Sequence, residues 1–239
     1  MKFGLNESKI LRHLFIAVAV LLLGNLFAIY LRFNTAGAED KITRLLIKLF
    51  DFNLEANLPT YFSSLMLLAD AILLALIGSR YKATGKKFWH WYGLAFIFVF
   101  LSLDEMIQIH EQLRAPMEAL FSTTGILYFA WFIPYIIITI FIGIAYFKFM
   151  MRLPKHVLKL FIIAGILYIF GAVVMEAISG MHAEIYGEST LAYALMYSFE
   201  ETLEMSGAIV FFYALLSYIT NGFNNFKLIF KSPEFNTDA

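Results

Sequence analysis

Residues 191–219 read LAYALMYSFEETLEMSGAIVFFYALLSYI, with no lysine, arginine or proline. A helix needs about 20 apolar residues to cross roughly 30 Å of hydrocarbon, and this run is longer than that. Glu200, Glu201 and Glu204 sit inside it. A stretch that must lie in lipid and still carries three acids frames both the fold and the function. Five other apolar runs of comparable length lie near 12–32, 59–79, 89–113, 125–149 and 157–179. With no water in the bilayer to satisfy peptide groups, helices are the economical form for such spans. The expected fold is all-α: a polytopic membrane protein of six transmembrane helices, forming a single membrane domain over 1–239.

Composition points the same way. Of the 239 residues, 61% are hydrophobic and 15% charged, against about 25% charged in soluble domains, and the mean hydropathy is +0.74. That excludes a disordered chain, a nucleic-acid-binding domain and an ordinary cytosolic enzyme. The lipid bilayer is the implied partner. Eighteen basic residues balance eighteen acidic ones, so the position of charge informs and its sum does not. Cysteine is absent, which excludes disulfides, thiolate metal sites and cysteine nucleophiles.

Basic residues set the orientation. Lys2, Lys9 and Arg12 open the chain, Arg80, Lys82, Lys86 and Lys87 follow the second span, Lys148, Arg152, Lys155 and Lys159 follow the fourth, and Lys227 and Lys231 lie near the end. In a six-span topology all four clusters fall on one side, so both termini are expected in the cytoplasm. A secretory signal is the rival reading of the first span, with Ala36-Gly37-Ala38 as its cleavage site. The run is long for a signal core, so a retained helix is expected. Between the first two spans, Ile42, Leu45, Leu46, Leu49 and Phe50 share one helical face opposite Lys41, Arg44 and Lys48. This predicts an amphipathic helix near 40–52, lying on the membrane surface or packed as a lid. The polar tail 222–239 is expected to fray. Asn25 on the apolar first span is expected to make a helix-packing contact, and Pro134 to kink the fourth.

Eight acids lie in or at the ends of the spans: Asp70, Asp104, Glu105, Glu111, Glu176, Glu200, Glu201 and Glu204. A charged acid at mid-membrane costs about 2.5–3.5 kcal/mol even on the lenient insertion scale. The cores of the second, third, fifth and sixth spans hold no lysine or arginine to offset this. Arg114, beside His110 and Glu111, can neutralise one acid. The remaining relief is proton uptake, a water-filled vestibule or bound cations. At 100° per residue, Asp104, Glu105, Gln108 and Glu111 share one arc of about 120°. Glu200, Glu201, Glu204 and Gly207 share another, where Tyr197 can donate a hydrogen bond. The bland alternative has the acids protonated and bonded to Ser102, Ser198, Thr202 or backbone carbonyls, holding helices together.

Each half runs as an apolar helix, a helix with one acid and a helix with several. Asp70-Ala-Ile is echoed by Glu176-Ala-Ile, and SLDEMIQI (102–109) by SFEETLEM (198–205). Three spans per half would place the halves in inverted orientation, a recurring transporter plan. Four helices presenting carboxylates also resemble two-metal bundles, which add Glu-x-x-His, a motif missing from this chain. The candidate metal ligands are Asp104, Glu105, His110, Glu111, Glu176, Glu200, Glu201 and Glu204, for a divalent metal that can be Fe, Mn, Mg, Ca or Zn. Asp70, Gln108, Tyr197 and His182 are candidates for a proton or cation pathway. Phosphate loops, Ser-His-Asp spacing and His-x-x-x-His pairs are missing, and no catalytic residue and no organic cofactor site is assigned.

PTYFSSL (59–65), LSLDEMIQIHE (101–111) and FEETLEMSG (199–207) resemble a family of bacterial six-span integral membrane proteins of unestablished activity, some labelled multidrug transporters. The resemblance spans residues 57–219 and implies a bacterial cytoplasmic (inner) membrane location, multi-pass, and little else. The leading expectation is an outward-opening intramembrane carboxylate and histidine site that binds a cation, a proton or a divalent metal, in transport of that cation or a small solute. The alternatives are a carboxylate-bridged metal enzyme acting on a lipid, quinone or other apolar substrate, and a non-catalytic membrane subunit. A homo-oligomer or a larger membrane complex is left open.

Overall fold

The computed structural model describes residues 6–35, 40–121 and 123–222. The Ala36-Gly37-Ala38 run, the basic residues Lys2, Lys227 and Lys231, and all of the tail except Gly222 lie outside these. Helix α1 (Glu7–Asn34) is opened by Asn6, whose side chain accepts from Lys9 N at 3.0 Å. Helix α2 (Lys41–Phe50) is capped in the same way by Asp40, which accepts from Thr43 N at 2.7 Å. Its Ile42 and Leu45 are exposed, while the Phe50 ring lies against Gly24 of α1. Helix α3 (Leu58–Ala83) starts at the Asn57 cap, with Pro59 in its first turn where no N–H is needed.

Helix α4 covers Trp89–Ile107, followed by the short α5 (Ile109–Gln112) and α6 (Arg114–Leu120). After a 3₁₀ turn at Gly125–Leu127, α7 spans Phe132–Met150. Helix α8 (Lys155–Ile169) passes through a π-helical segment, Phe170–Met175, into α9 (Glu176–Tyr186), and α10 covers Leu191–Gly222. Among the described residues the chain is helical, and six helices are long and apolar enough to cross a membrane, with α8 to α9 counted as one.

Two expectations need correction. The third span does not run to 113, because α4 stops at Gln108, which adopts the left-handed conformation (φ 57°) and bonds its N–H back to the Asp104 carbonyl at 2.7 Å. Pro134 kinks nothing. The helix begins at Phe132, so the proline sits in the first turn, where its missing N–H breaks no intrahelical bond.

Helix α10 is the axis of the bundle, packed against α1, α3, α8 and the π segment. In its most apolar window 56% of residues are buried, against 6% for α7, so α7 is the peripheral, lipid-facing helix. One core cluster gathers Phe129, Trp131, Tyr193, Tyr197, Met205 and Ile209 at the end where Asp51 lies; the other gathers Leu74, Trp91, Phe161, Phe211 and Leu215 toward the opposite end. The expected packing role of Asn25 is what the structure shows: its Nδ2 donates to Ser198 Oγ at 2.7 Å and its Oδ1 accepts from Phe52 N at 2.9 Å.

Candidate functional site

The break at Gln108 builds the first part of the site. With the helix interrupted, the chain turns back, and the Asp104 carboxylate accepts from the His110 backbone N–H at 2.8 Å and lies 3.2 Å from His110 Nδ1. Tyr135 of α7 donates to its other oxygen at 2.9 Å. The single arc expected for Asp104, Glu105, Gln108 and Glu111 is therefore not a helix face, and a fold-back joins Asp104 to His110 instead. Burial alone opposes a charge on the His110 ring, but the hydrogen bond and charge of Asp104, with Glu111 and Glu105, outweigh it and carry its pKa from 6.5 up to about 9. The ring also rests against Trp131, with centroids 4.6 Å apart.

The π segment supplies the second part. Such wide turns recur at functional sites, and here the segment ends directly at Glu176, which accepts from Trp131 Nε1 at 2.7 Å. The bundle axis α10 supplies Glu200, Glu201 and Glu204. Gly171 and Gly207 let the helices meet. A Cβ at Gly171 would stand 2.9 Å from the Glu200 carbonyl oxygen, and one at Gly207 would stand 2.8 Å from Tyr168 N. The expected role of Gly207 in the acidic arc becomes one of close packing.

The loop before α3 supplies the last part through contacts that sequence reading missed. Arg32 Nη1 pairs with Asp51 Oδ2 at 3.0 Å, Arg32 Nη2 donates to the Tyr197 hydroxyl at 3.2 Å, and that hydroxyl donates to Asp51 Oδ1 at 2.7 Å. This knot ties the loop to α1 and α10 and carries Glu55 to the site, where burial raises its carboxyl above the ordinary range. Arg114 pairs with Glu118 at 3.1 Å and Glu188 at 3.6 Å, not with Glu111, and its guanidinium lies 4.5 Å from the Phe129 ring centroid.

Together these elements enclose a cavity of about 980 Å³. Nine carboxylates line it, from Glu55, Asp104, Glu105, Glu111, Glu176, Glu188, Glu200, Glu201 and Glu204, with Gln108 and Tyr197 beside them. Among the described residues only His110 and Arg114 bring positive charge to the wall. Glu200 is 8% exposed; its Oε2 has no donor among the described residues, and its carboxyl lies within hydrogen-bonding reach of that of Glu176. The hydroxyls expected to quench these acids are engaged elsewhere: Ser102 bonds Ser64, Ser198 donates to the Ala194 carbonyl, and Thr202 donates to that of Ser198. These three hydroxyls therefore do not hold the acids, two of which bond to other elements instead, Asp104 to Tyr135 and Glu176 to Trp131. Among the described residues no three His, Asp or Glu side chains come together closely enough to hold a metal ion.

A family described as a domain of unknown function, DUF8692, matches residues 13–219. The chain belongs to this family. No curated protein and no solved structure matches it. The DUF8692 region takes in every carboxylate of the cavity wall.

Two residues of the DUF8692 region that were expected in the site lie off its wall. His182 Nε2 meets Thr190 Oγ1 at 2.8 Å, and Thr190 caps α10 by accepting from Tyr193 N at 3.1 Å, so His182 secures the turn between α9 and α10. Asp70 is fully buried in α3, and neither carboxyl oxygen has a partner. An unsatisfied buried acid of this kind is a cost to the fold. Asp70→Leu is therefore expected to raise the stability of the detergent-solubilised protein by about 1–2 kcal/mol, read as a higher melting temperature; a fall would reveal a partner that the acid needs.

Proposed function

We propose that this chain is a multi-pass membrane protein whose acidic cavity binds a cation as a step in transport. One observation carries the reading. Among the described residues, nine carboxylates line one cavity with a single guanidinium and a single imidazole, and the most deeply buried of those on α10, Glu200, has a carboxyl oxygen with no hydrogen-bond donor. A cavity wall of one sign concentrates ions of the other, and the desolvated carboxylates need more positive charge than His110 and Arg114 supply among the described residues.

The distribution of basic residues supports placing both termini in the cytoplasm and the mouth of the cavity, at the Glu55 and Glu188 end, on the outer face of a bacterial inner membrane. The paired acid patterns of the two halves favour inverted repeats, and such repeats place sites at their interface. Of the candidate residues, Glu200, Glu201 and Glu204 are the binding groups, and Asp104, held by His110 and Tyr135, shapes the wall.

The test is flux. Liposomes holding the purified protein and a pH-sensitive dye are given an outward-to-inward gradient of Mn²⁺ or tetramethylammonium. The wild-type chain is expected to carry charge or exchange protons. The Glu200→Gln/Glu204→Gln double variant should lose at least about tenfold in rate, the equivalent of one charge-assisted contact. Equal flux in both proteins overturns the proposal.

A further inference from the structure

The cavity is built for more than an ion. Its volume of about 980 Å³ lies at the upper end of the roughly 300–1,000 Å³ typical of sites for small organic ligands. A bare metal ion would leave nearly all of that space to water lying against hydrocarbon. The donors do not close around a metal either, since no three ligating side chains converge among the described residues.

The polar and apolar groups are also segregated along the axis. Glu55, Glu111 and Glu188 lie toward the Asp51 end, and Glu200 and Glu204 lie one turn apart on α10. Two turns further along the same helix, about 10 Å, the wall becomes Phe211, which stacks on Phe98 and packs tilted against Phe161, with centroids 4.5 Å away in each case. Ile138, Ile142 and Tyr146 of α7 close that half of the cavity. Acids at one end and an aromatic and aliphatic chamber at the other describe a ligand with a cationic head and an apolar body. The aromatic faces near the acids add to the attraction, since ring faces favour cations. The peripheral position of α7 leaves the apolar chamber one helix away from lipid, where such molecules concentrate.

We infer that the cavity takes an amphiphilic organic cation, a protonated or quaternary amine whose head lies among Glu200, Glu201 and Glu204 and whose hydrocarbon or aryl body fills the chamber around Phe211 and Ile142. This rests on the cation reading above and gives it a substrate class. Glu200 fits this reading: it lines the cavity, is 8% exposed, and has one carboxyl oxygen without a hydrogen-bond donor among the described residues.

Four probes separate the possibilities by calorimetry on the full chain in zwitterionic nanodiscs, with empty nanodiscs subtracting partition into lipid: octyltrimethylammonium, tetramethylammonium, octanol and Mn²⁺. Octyltrimethylammonium is expected to bind saturably and at least about tenfold more tightly than tetramethylammonium, with no saturable site for octanol. Glu200→Gln/Glu204→Gln should weaken octyltrimethylammonium by a similar factor, with an unchanged melting profile. Ile142→Ala, on the peripheral helix, should weaken octyltrimethylammonium and leave tetramethylammonium as it was. Equal affinity for the two ammonium ions, or tighter binding of Mn²⁺ than of either, overturns the amphiphile and leaves the cation reading standing. Saturable octanol binding as tight as that of octyltrimethylammonium, or no binding of any probe, overturns both.

Discussion

Gly207→Val is expected to destabilise the bundle by about 3 kcal/mol or more and to abolish whatever the cavity does. The reason is the backbone on the far side. A Cβ at this position would meet Tyr168 N at 2.8 Å, the Ala164 carbonyl oxygen at 2.9 Å and Tyr168 Cβ at 3.0 Å. Backbone atoms of a packed helix have no rotamer with which to retreat, so α8 as a whole must move away from α10. In a membrane, where helices associate through close packing and not through exclusion of water, such crossings are built from small residues. Gly171 faces the opposite way across the same crossing, against the Glu200 carbonyl and the Glu204 side chain. Separating the helices therefore also displaces two of the carboxylates on which the proposed binding depends. Gly93→Ala is the control. The added carbon there would meet first the Tyr146 hydroxyl, the far end of a side chain that can turn aside. Thermal melts of the two variants in detergent check the contrast, and similar losses in both would show that the α8–α10 crossing is not the tight point of the fold.

The apolar runs were legible because transmembrane length is a local property of sequence. The acids on α10 were legible for the same reason: a run such as 191–219 announces any charge inside it. What stayed hidden is where the chain departs from regular helix. Nothing in LSLDEMIQIHE marks Gln108 as the stop, since the left-handed turn is made without glycine and is held by the Asp104 side chain reaching ahead to His110. Regular helix arithmetic therefore placed Glu111 on the face of Asp104 and His110 beside it, when the broken helix brings His110 onto the Asp104 carboxylate and keeps Glu111 on the same cavity wall. The π segment before Glu176 has no composition of its own. Arg32, Asp51 and Tyr197 lie far apart in the chain, and no periodicity links a residue at the end of one span to a loop acid and a tyrosine on the last helix. Asn25 was the available clue, as a polar residue on an apolar face that required a partner.

That hidden knot carries the second large effect. Asp51→Ala is expected to cost about 3–5 kcal/mol, the range for breaking a buried charge pair by removing one partner. The Asp51 side chain is 1% exposed and that of Arg32 29%, so the loss falls on the buried side of the pair. The Tyr197 hydroxyl and the Asn53 N–H, which donate to Asp51 Oδ1 at 2.7 and 3.0 Å, lose their acceptor together. Tyr197→Phe removes the bond to Asp51 and the one accepted from Arg32 Nη2 but leaves the charges paired, and it should cost only about 1–2 kcal/mol. The double replacement Arg32→Met/Asp51→Leu, which leaves no charge stranded, should recover most of the stability lost in Asp51→Ala, because apolar groups of similar volume commonly replace buried ion pairs without penalty. The recovery need not extend to function. Asp51 also fixes the loop that carries Glu55 to the cavity, through the Asn57 side chain, which donates to the Asp51 carbonyl at 2.7 Å and to that of Leu54 at 2.6 Å. Melting temperatures of the three variants, measured beside octyltrimethylammonium affinity, distinguish the two roles. A double variant as unstable as Asp51→Ala would show that the backbone of the loop, and not the charge pair, holds this end of the bundle together.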